Sequence, residues 1–331
     1  MTWRVSVVTC VLVMACGRLS TKAAPVAVDA QAAAPSPSAA SPEDAATHRV
    51  DAGGVDLAPY TMARPVSGKS VGHTSVVFKL KLEGGVEAAY KPRSRRGKTR
   101  YRGEVAAYRL GRALGIPNVP PAIVRSFSVD ELRAALGDPS SGAGKLFADE
   151  IVPDEHGEVR GALIPWIVGL TFPSLEAEPK RTEWRAWLGG PNVVPEDERD
   201  FAAQISDLLI FDYLTGNWDR WSGGNIGADE SGQKLLFIDN DGAFFDPPPP
   251  EPLAKQRALV REDARFSKGF IRALRALDPE VAKAAMGEDA PGEPLLAPKV
   301  LAGLEERRKE VLGLVDARIA KDGEDKVLTF E

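Results

Sequence analysis

A chain of 331 residues with 44% hydrophobic content carries enough apolar side chain for one large or two small domains around a true core. A formal charge of −5 argues against bulk nucleic-acid binding, so no nucleic-acid partner is expected. Mean hydropathy is −0.18, and no apolar run reaches the ~20 residues that a mature membrane-spanning helix needs.

Residues 1–16 read as an export signal, with Arg4 as the positive start and Val5 to Met14 as the short apolar run. Val13-Met14-Ala15-Cys16 resembles a bacterial lipobox, which makes Cys16 a lipidated attachment to a membrane. Met14 is an unusual residue at its place in that pattern, so plain secretion is the alternative. Residues 17–58 read as a tether, because the Ala, Pro and Ser of 21–47 cannot bury enough surface to fold. Cys10 and Cys16 are the only cysteines, so the mature domain is expected to lack disulfides and thiolate metal sites. The expectation is an exported protein of the cell envelope, a lipoprotein facing the periplasm or the exterior.

Globular composition begins near Tyr60. Pro65 to Thr74 reads as a glycine-containing turn, Ser75 to Leu82 as a strand, Glu83-Gly84-Gly85 as a hairpin turn and Val86 to Lys91 as the partner strand. Gly68 and Gly72 are thereby placed in a loop whose backbone N–H groups can cover phosphates, or in an ordinary hairpin turn. Ala63 to Ser70 nearly fits a Walker A loop, but Pro65 interrupts it and a strand pattern follows where a helix is required. Lys91 ends its strand among uncharged Ala88, Ala89 and Tyr90, where a lysine needs an anion. Glu104 opens the next helix and is the candidate partner; the alternative is two surface charges. From Lys91 to Arg102 runs KPRSRRGKTRYR, either a solvated mobile loop or an electrostatic lure for an acidic substrate or nucleotide.

Further on, Ala122 to Phe127 reads as a strand, Val129 to Leu136 as a helix, Ser140 to Gly144 as a loop and Arg160 to Trp166 as a strand. Val168-Gly169 looks like a crossing point between two lobes. The fold of 172–197 stays ambiguous, with Trp184 and Trp187 assigned to packing. Glu198 to Leu214 is helical by period, and Asp212 on its apolar face either braces the following loop or is a helix-end charge.

Ile210 to Phe245 carries the chemistry. A helix pattern ends at Thr215-Gly216-Asn217, Asp219 follows, Asn225 lies six residues beyond it, and the apolar strand Leu235 to Ile238 delivers Asp239. This is the order of a kinase-type phosphoryl-transfer site: an Asp on the acceptor hydroxyl, then an Asn and an Asp on a divalent ion. An EF-hand reading of Asp239-Asn240-Asp241-Gly242 fails, because Phe237 and Pro248 would have to supply ligating carboxylates. His48, His73 and His156 are the only histidines, which excludes His-rich zinc sites. After a Pro-rich exit at 246–250, Asp263 to Leu277, Pro279 to Met286 and Lys299 to Lys321 read as helices.

With these residues in hand, the chain resembles the secretory-pathway kinases, the family of the Golgi casein kinase, the proteoglycan xylose kinase and Four-jointed. GHTSVVFKLKLEGGVEAAYKPR and RGEVAAYRLGRALGIPNVPPAIVR are similar to its glycine loop, lysine strand and glutamate helix; LLIFDYLTGNWDR and LLFIDNDGAF are similar to its catalytic and metal blocks. HipA-type and phosphoinositide kinases share the layout more distantly. The resemblance implies an α+β, two-lobed kinase fold, with a β-rich N-lobe at 59–168 and a helical C-lobe at 169–331. It implies ATP bound by Gly68, Gly72, His73, Thr74, Lys91 and Glu104, with Asp219 as the catalytic base or orienter. Asp239 and Asn225 would hold Mn²⁺ or Mg²⁺. The family usually spaces the Asn five residues after the Asp, so either the loop bulges by one here or Asn217 or Asn240 takes part. The function implied is an exported, ATP-dependent kinase acting on a hydroxyl of a protein Ser/Thr or a sugar. A lipid-anchored pseudokinase and an AMP-transferring enzyme are the alternatives.

Overall fold

Phe78, Leu80 and Leu82 alternate with Lys79 and Lys81, and this period of two makes Phe78–Leu82 a strand with one face fully buried. The computed structural model describes residues 55–72, 75–190 and 192–331, which lie in one compact unit spanning 47–331. The export signal, Cys16, almost all of the tether, and His73 and Thr74 lie outside the described residues.

In chain order the elements are α1 (Ala58–Met62), β1 (Pro65–Ser70), β2 (Phe78–Leu82), β3 (Glu87–Pro92), α2 (Tyr101–Leu114), β4 (Ile123–Ser128), α3 (Val129–Leu136), α4 (Gly142–Glu150) and β5 (Glu158–Pro165). Then come α5 (Lys180–Gly189), α6 (Arg199–Thr215), the short strands β6 (Gly227–Ala228) and β7 (Leu235–Leu236), α7 (Pro250–Glu262), α8 (Lys268–Ala276) and α9 (Pro279–Met286). The small pair β8 (Glu288–Ala290) and β9 (Glu293–Pro294), α10 (Pro298–Asp322) and α11 (Glu324–Val327) complete the chain. Strands β1 to β5 form one antiparallel sheet in the order β1-β2-β3-β5-β4. The fold is therefore α+β and two-lobed, a sheet followed by a mostly helical half. Among the described residues, no helix is long and apolar enough to cross a membrane.

Two apolar cores hold the lobes. One gathers Phe78, Leu80, Tyr90, Phe127, Leu132 and Leu163 around the sheet. The larger one buries Ile205 and Leu209 of α6 against Phe270 and Leu274 of α8 and Leu304 and Val311 of α10. Helix α2, drawn with the N-lobe in the sequence, sends Val105, Leu110 and Leu114 into this second core. Each such side chain contributes roughly 1.5–3 kcal/mol when fully buried, so the helix that carries Glu104 is fastened to the helical half.

Several elements differ from the sequence reading. Gly68 is not in a loop; it lies in edge strand β1, opposite Leu80. Its strand reads PVSGKS, with no apolar alternation to announce it. Between β1 and β2 the Val71 N–H donates to the Val77 carbonyl at 3.0 Å. Gly72 lies in this connection, where a Cβ would lie 2.3 Å from the Ser75 carbonyl oxygen. Ser140–Gly144 is not a simple loop, because Ser141 caps α4 through its hydroxyl. The ambiguous 172–197 stretch contains α5, and Trp184 and Trp187 are buried in the larger core. The proline run ends as a helix start: Pro250 lies in the first turn of α7, where a missing N–H costs nothing. The helix expected from Asp263 begins only at Lys268.

Asp207 and Asp263 sit where α6 meets the segment before α8. Burial pushes both carboxyls up to about 7; the hydroxyls of Ser267 and Ser206 oppose the shift only in part. A raised carboxyl binds its proton in the folded state before it does so in the unfolded chain. Stability from these groups is therefore present at low pH and lost as pH rises from the ordinary carboxylate range through about 7. Thermal unfolding should show a higher Tm at pH 5.5 than at pH 8, and Asp263→Asn should flatten the difference. An unchanged slope in that variant would exclude Asp263 as its source.

Candidate active site

Lys91 stands on β3 opposite Ala162 of β5, with small neighbours that leave its stem buried at 8% exposure. Its ammonium is ion-paired with Glu104 Oε1 and with Asp239 Oδ1, and lies 3.9 Å from Asp241 Oδ2. Burial works against the charged ammonium, but the carboxylates of Glu104, Asp239 and Asp241 outweigh it and raise the lysine pKa. Glu104 is pulled two ways: burial raises its pKa, Lys91 opposes, and the net direction is up. Asp239 is only partly buried; that burial raises its pKa, but Lys91 outweighs it and brings it below the ordinary value. The two surface charges of the bland alternative are thus a buried pair, with Asp239 as a third member.

Glu104 reaches Lys91 because α2 docks very closely on the loop after Asp239. At Gly103 a Cβ would lie 2.5 Å from the Asn240 carbonyl oxygen, so no larger side chain fits at that contact. Asp239 itself has a left-handed backbone, φ 56° and ψ 60°. Such backbones are uncommon outside glycine, tolerated by Asp, and concentrated at functional sites.

The loop of Asp219 is built from the end of α6. Gly216 takes the left-handed conformation that ends the helix, and its N–H returns to the Asp212 and Tyr213 carbonyls. Asn217 is fully buried; its amide donates to the Asp239 carbonyl at 3.4 Å and its oxygen accepts the Asp219 N–H at 3.2 Å. Asp219 is left partly exposed. The six-residue interval to Asn225 closes through a bulge. Gly223 and Gly224 both have positive φ, 102° and 77°, and absorb the extra residue. Asn225 folds back so that its amide donates to the Asp219 carbonyl at 2.8 Å and to Ser222 Oγ at 3.3 Å.

Arg220 organises all of this, and sequence reasoning passed it over as the neighbour of Asp219. Its side chain is wholly buried. It donates to Asp212 Oδ1 at 3.0 Å, to the Asn225 carbonyl at 2.7 Å, to the Ile238 carbonyl, and to Asn240 Oδ1 at 2.5 Å. One guanidinium thus joins helix α6, the loop of Asp219 and the loop of Asp239. Asp212 is therefore the brace and not a helix-end charge; burial pushes its carboxyl up to about 6, with Arg220 opposing. The available signal was an acid on the apolar face of α6 eight residues before an arginine. Asn240 is occupied by Arg220, by the Phe237 carbonyl at 2.8 Å and by Glu104 Oε2 at 3.4 Å, so Asn217 and Asn240 both serve the scaffold.

The cationic run is folded. Ser94 bridges to Lys98 and to Ile151, Arg96 pairs with Glu150 at 2.8 Å, Arg100 with Asp241 at 2.8 Å, and Arg102 with Asp289 at 2.9 Å. Four of its cations, Lys91, Arg96, Arg100 and Arg102, are ion-paired within the molecule, while Arg93, Arg95, Arg96 and Lys98 stay exposed; the run is an ordered segment and not a mobile loop. Of the glycine-loop residues, Gly72 lies in the turn whose Ser75 hydroxyl reaches Asp241 Oδ2 at 2.9 Å. Gly68 is set back in β1, against the side chains of Leu80 and Leu136.

For a divalent ion, the Asp239 carboxylate is 43% exposed, and Asn225, whose amide nitrogen is held by the Asp219 carbonyl, keeps a side-chain oxygen as a second candidate donor. Among the described residues no group of three or more His, Cys, Asp or Glu is arranged to hold a metal. Mg²⁺-like ions in phosphoryl-transfer sites take one or two carboxylates and complete their shell with phosphate and water, so this oxygen set fits such an ion.

No family model matches the chain. The human glycosaminoglycan xylosylkinase is 25% identical over 304 residues, covering 75% of this chain and 70% of the relative. Among solved structures, the Golgi casein kinase with Mn and ADP bound superposes with a TM-score of 0.61 at 16% identity, over 82% of this chain and 77% of that one. A hydra Fam20 protein with sugar superposes with a TM-score of 0.57 at 19% identity, over 82% of this chain and 90% of that one. At those identities the structural matches establish the fold. Together with the sequence match, they identify the chain as a kinase, a phosphotransferase resembling the secretory-pathway kinases.

Proposed function

We propose that the protein is an exported, ATP-dependent kinase that transfers the γ-phosphoryl group to a hydroxyl of a sugar or of a protein Ser/Thr. The observation that carries this reading is the ion-pair network of Lys91 with Glu104 and Asp239, built beside a partly exposed Asp219. Lys91 supplies the positive charge for the nucleotide's α- and β-phosphates, and Glu104 fixes its direction. Asp219 orients the acceptor hydroxyl and takes its proton as the oxygen bonds to the γ-phosphorus and the bond to the ADP oxygen breaks. Asp239 and Asn225 would hold Mn²⁺ or Mg²⁺, which supplies neutralisation of phosphate charge when bound. A sugar acceptor is the first to test, because the sequence relative is a xylosylkinase. Manganese is the first ion to test, because a structural neighbour holds Mn with ADP.

The test is ATP consumption by the full chain with Mn²⁺ or Mg²⁺ and a panel of glycan and protein acceptors. Asp219→Asn and Asp239→Ala should each lower turnover by about 10³-fold, the scale of losing one preorganised electrostatic group. Turnover that survives Asp239→Ala would overturn the kinase assignment of the site. Product mass separates phosphate transfer from AMP transfer. Export and anchoring rest on the sequence of residues 1–16; Cys16→Ser should move the protein from the membrane fraction to the soluble envelope fraction.

A further inference from the structure

Arg100 belongs to the cationic run, and the proposed function leaves it without a role; any part it plays in catalysis presupposes that function. It immediately precedes α2, one turn before Glu104. Its Nε donates to the Asp241 carbonyl at 3.0 Å and its terminal nitrogen to Asp241 Oδ1 at 2.8 Å. Its guanidinium carbon lies over two aromatic rings, 5.6 Å from the centroid of Trp218 and 5.9 Å from that of Phe245, which are themselves edge-to-face at 6.4 Å. Trp218 directly precedes Asp219, and Asp241 lies two residues after Asp239. The other oxygen of Asp241 accepts the Ser75 hydroxyl of the glycine loop at 2.9 Å.

We infer that Arg100 and Asp241 form a clamp that sets four parts of the site against one another: the glycine loop, the α2 glutamate, the Asp239 loop and the Asp219 loop. The physical reasons are three. Asp241 is buried at 7% exposure close to Lys91, which is already shared by Glu104 and Asp239, so a further cation is needed and Arg100 supplies it. The contact is two-pronged, to a side chain and to the backbone, so it fixes the direction of the loop and not merely its distance. The aromatic pair under the guanidinium transmits the same constraint to the residue before Asp219. Arg100 is therefore a positioning residue: it acts on the reaction through Asp241 and Trp218.

The test combines kinetics with hydrogen exchange of the nucleotide-free protein, using Arg100→Ala, Arg100→Lys, Asp241→Asn and the double variant Arg100→Ala/Asp241→Asn. Arg100→Ala should lower kcat by about 10- to 100-fold, the scale of a misplacement near 1 Å, with the KM for ATP unchanged. Amide exchange across residues 215–245 should quicken in the same variant. Arg100→Lys keeps the charge but loses the fork and the stacking, so it should restore folding and only part of kcat. The double variant should be no worse than Arg100→Ala alone, as expected of two members of one interaction. Beside the clamp lies a cleft of about 550 Å³ lined by Lys98, Arg100, Trp218, Phe245 and Leu296. If Arg100→Ala raised only the KM for the acceptor, the residue would be an acceptor contact and the clamp would be wrong. Unchanged exchange with unchanged kcat would equally overturn it. A wild-type protein without turnover would count against the kinase reading alone, since exchange still decides the clamp.

Discussion

Arg220→Ala is expected to cost about 3–5 kcal/mol of unfolding free energy, the range for removing one partner of a buried ion pair. The variant would leave the Asp212 carboxylate, two backbone carbonyls and Asn240 Oδ1 in a region that water does not reach. Arg220→Lys should recover little, because one ammonium cannot span four acceptors arranged around a planar fork. The loss should also depend on pH. Burial already pushes the Asp212 carboxyl up to about 6 against the pull of Arg220. Without the arginine its pKa rises further, so the folded variant gains relative stability as pH falls and loses it as pH rises. Urea unfolding at pH 5.5 and pH 8 should give the larger deficit at pH 8, and Asp212→Asn in the Arg220→Ala background should recover part of it. A deficit below about 1 kcal/mol, the worth of an ordinary exposed ion pair, would mean that Arg220 does not organise the loops.

Lys91→Met should have the largest effect on activity, lowering kcat/KM by about 10³-fold or more through loss of a preorganised charge at the phosphates. It also leaves Glu104, Asp239 and Asp241 facing one another without the ammonium that holds them together. Glu104 is buried at 3% exposure and its pKa is already raised by that burial against the pull of Lys91, so in this variant it should rise further. Glu104→Gln should be milder, because Asp239 still holds the lysine. Steady-state kinetics on both variants, with thermal unfolding as the check on folding, gives the ranking. Equal losses in the two would show that Glu104 does more than orient Lys91.

The individual parts of the site were legible as local patterns. The Lys91 strand, the Glu104 helix, the turn before Asp219 and the apolar approach to Asp239 each obey a period or a turn rule that a few neighbouring residues enforce. The structure brings Lys91, Glu104 and Asp239 into one network, and it places Asp219 and Asn225 in one loop. Gly68 went astray because edge strand β1 carries no apolar alternation, and its glycine answers to helix α3, far along the chain. Helix α7 was hidden because four prolines read as an extended stretch, although the last of them opens a helix.

What the sequence determined by itself was the order and chemical kind of the working groups, since side-chain chemistry and helix or strand period are properties of short stretches. What only the tertiary structure decided was who holds them. Whether an arginine is solvated or buried depends on acceptors contributed from distant places: Asp212, Asn225, Ile238 and Asn240 for Arg220, and Asp241 with two aromatic rings for Arg100. A buried cation is stable only where such partners converge, and convergence belongs to the packed fold, not to any segment of it.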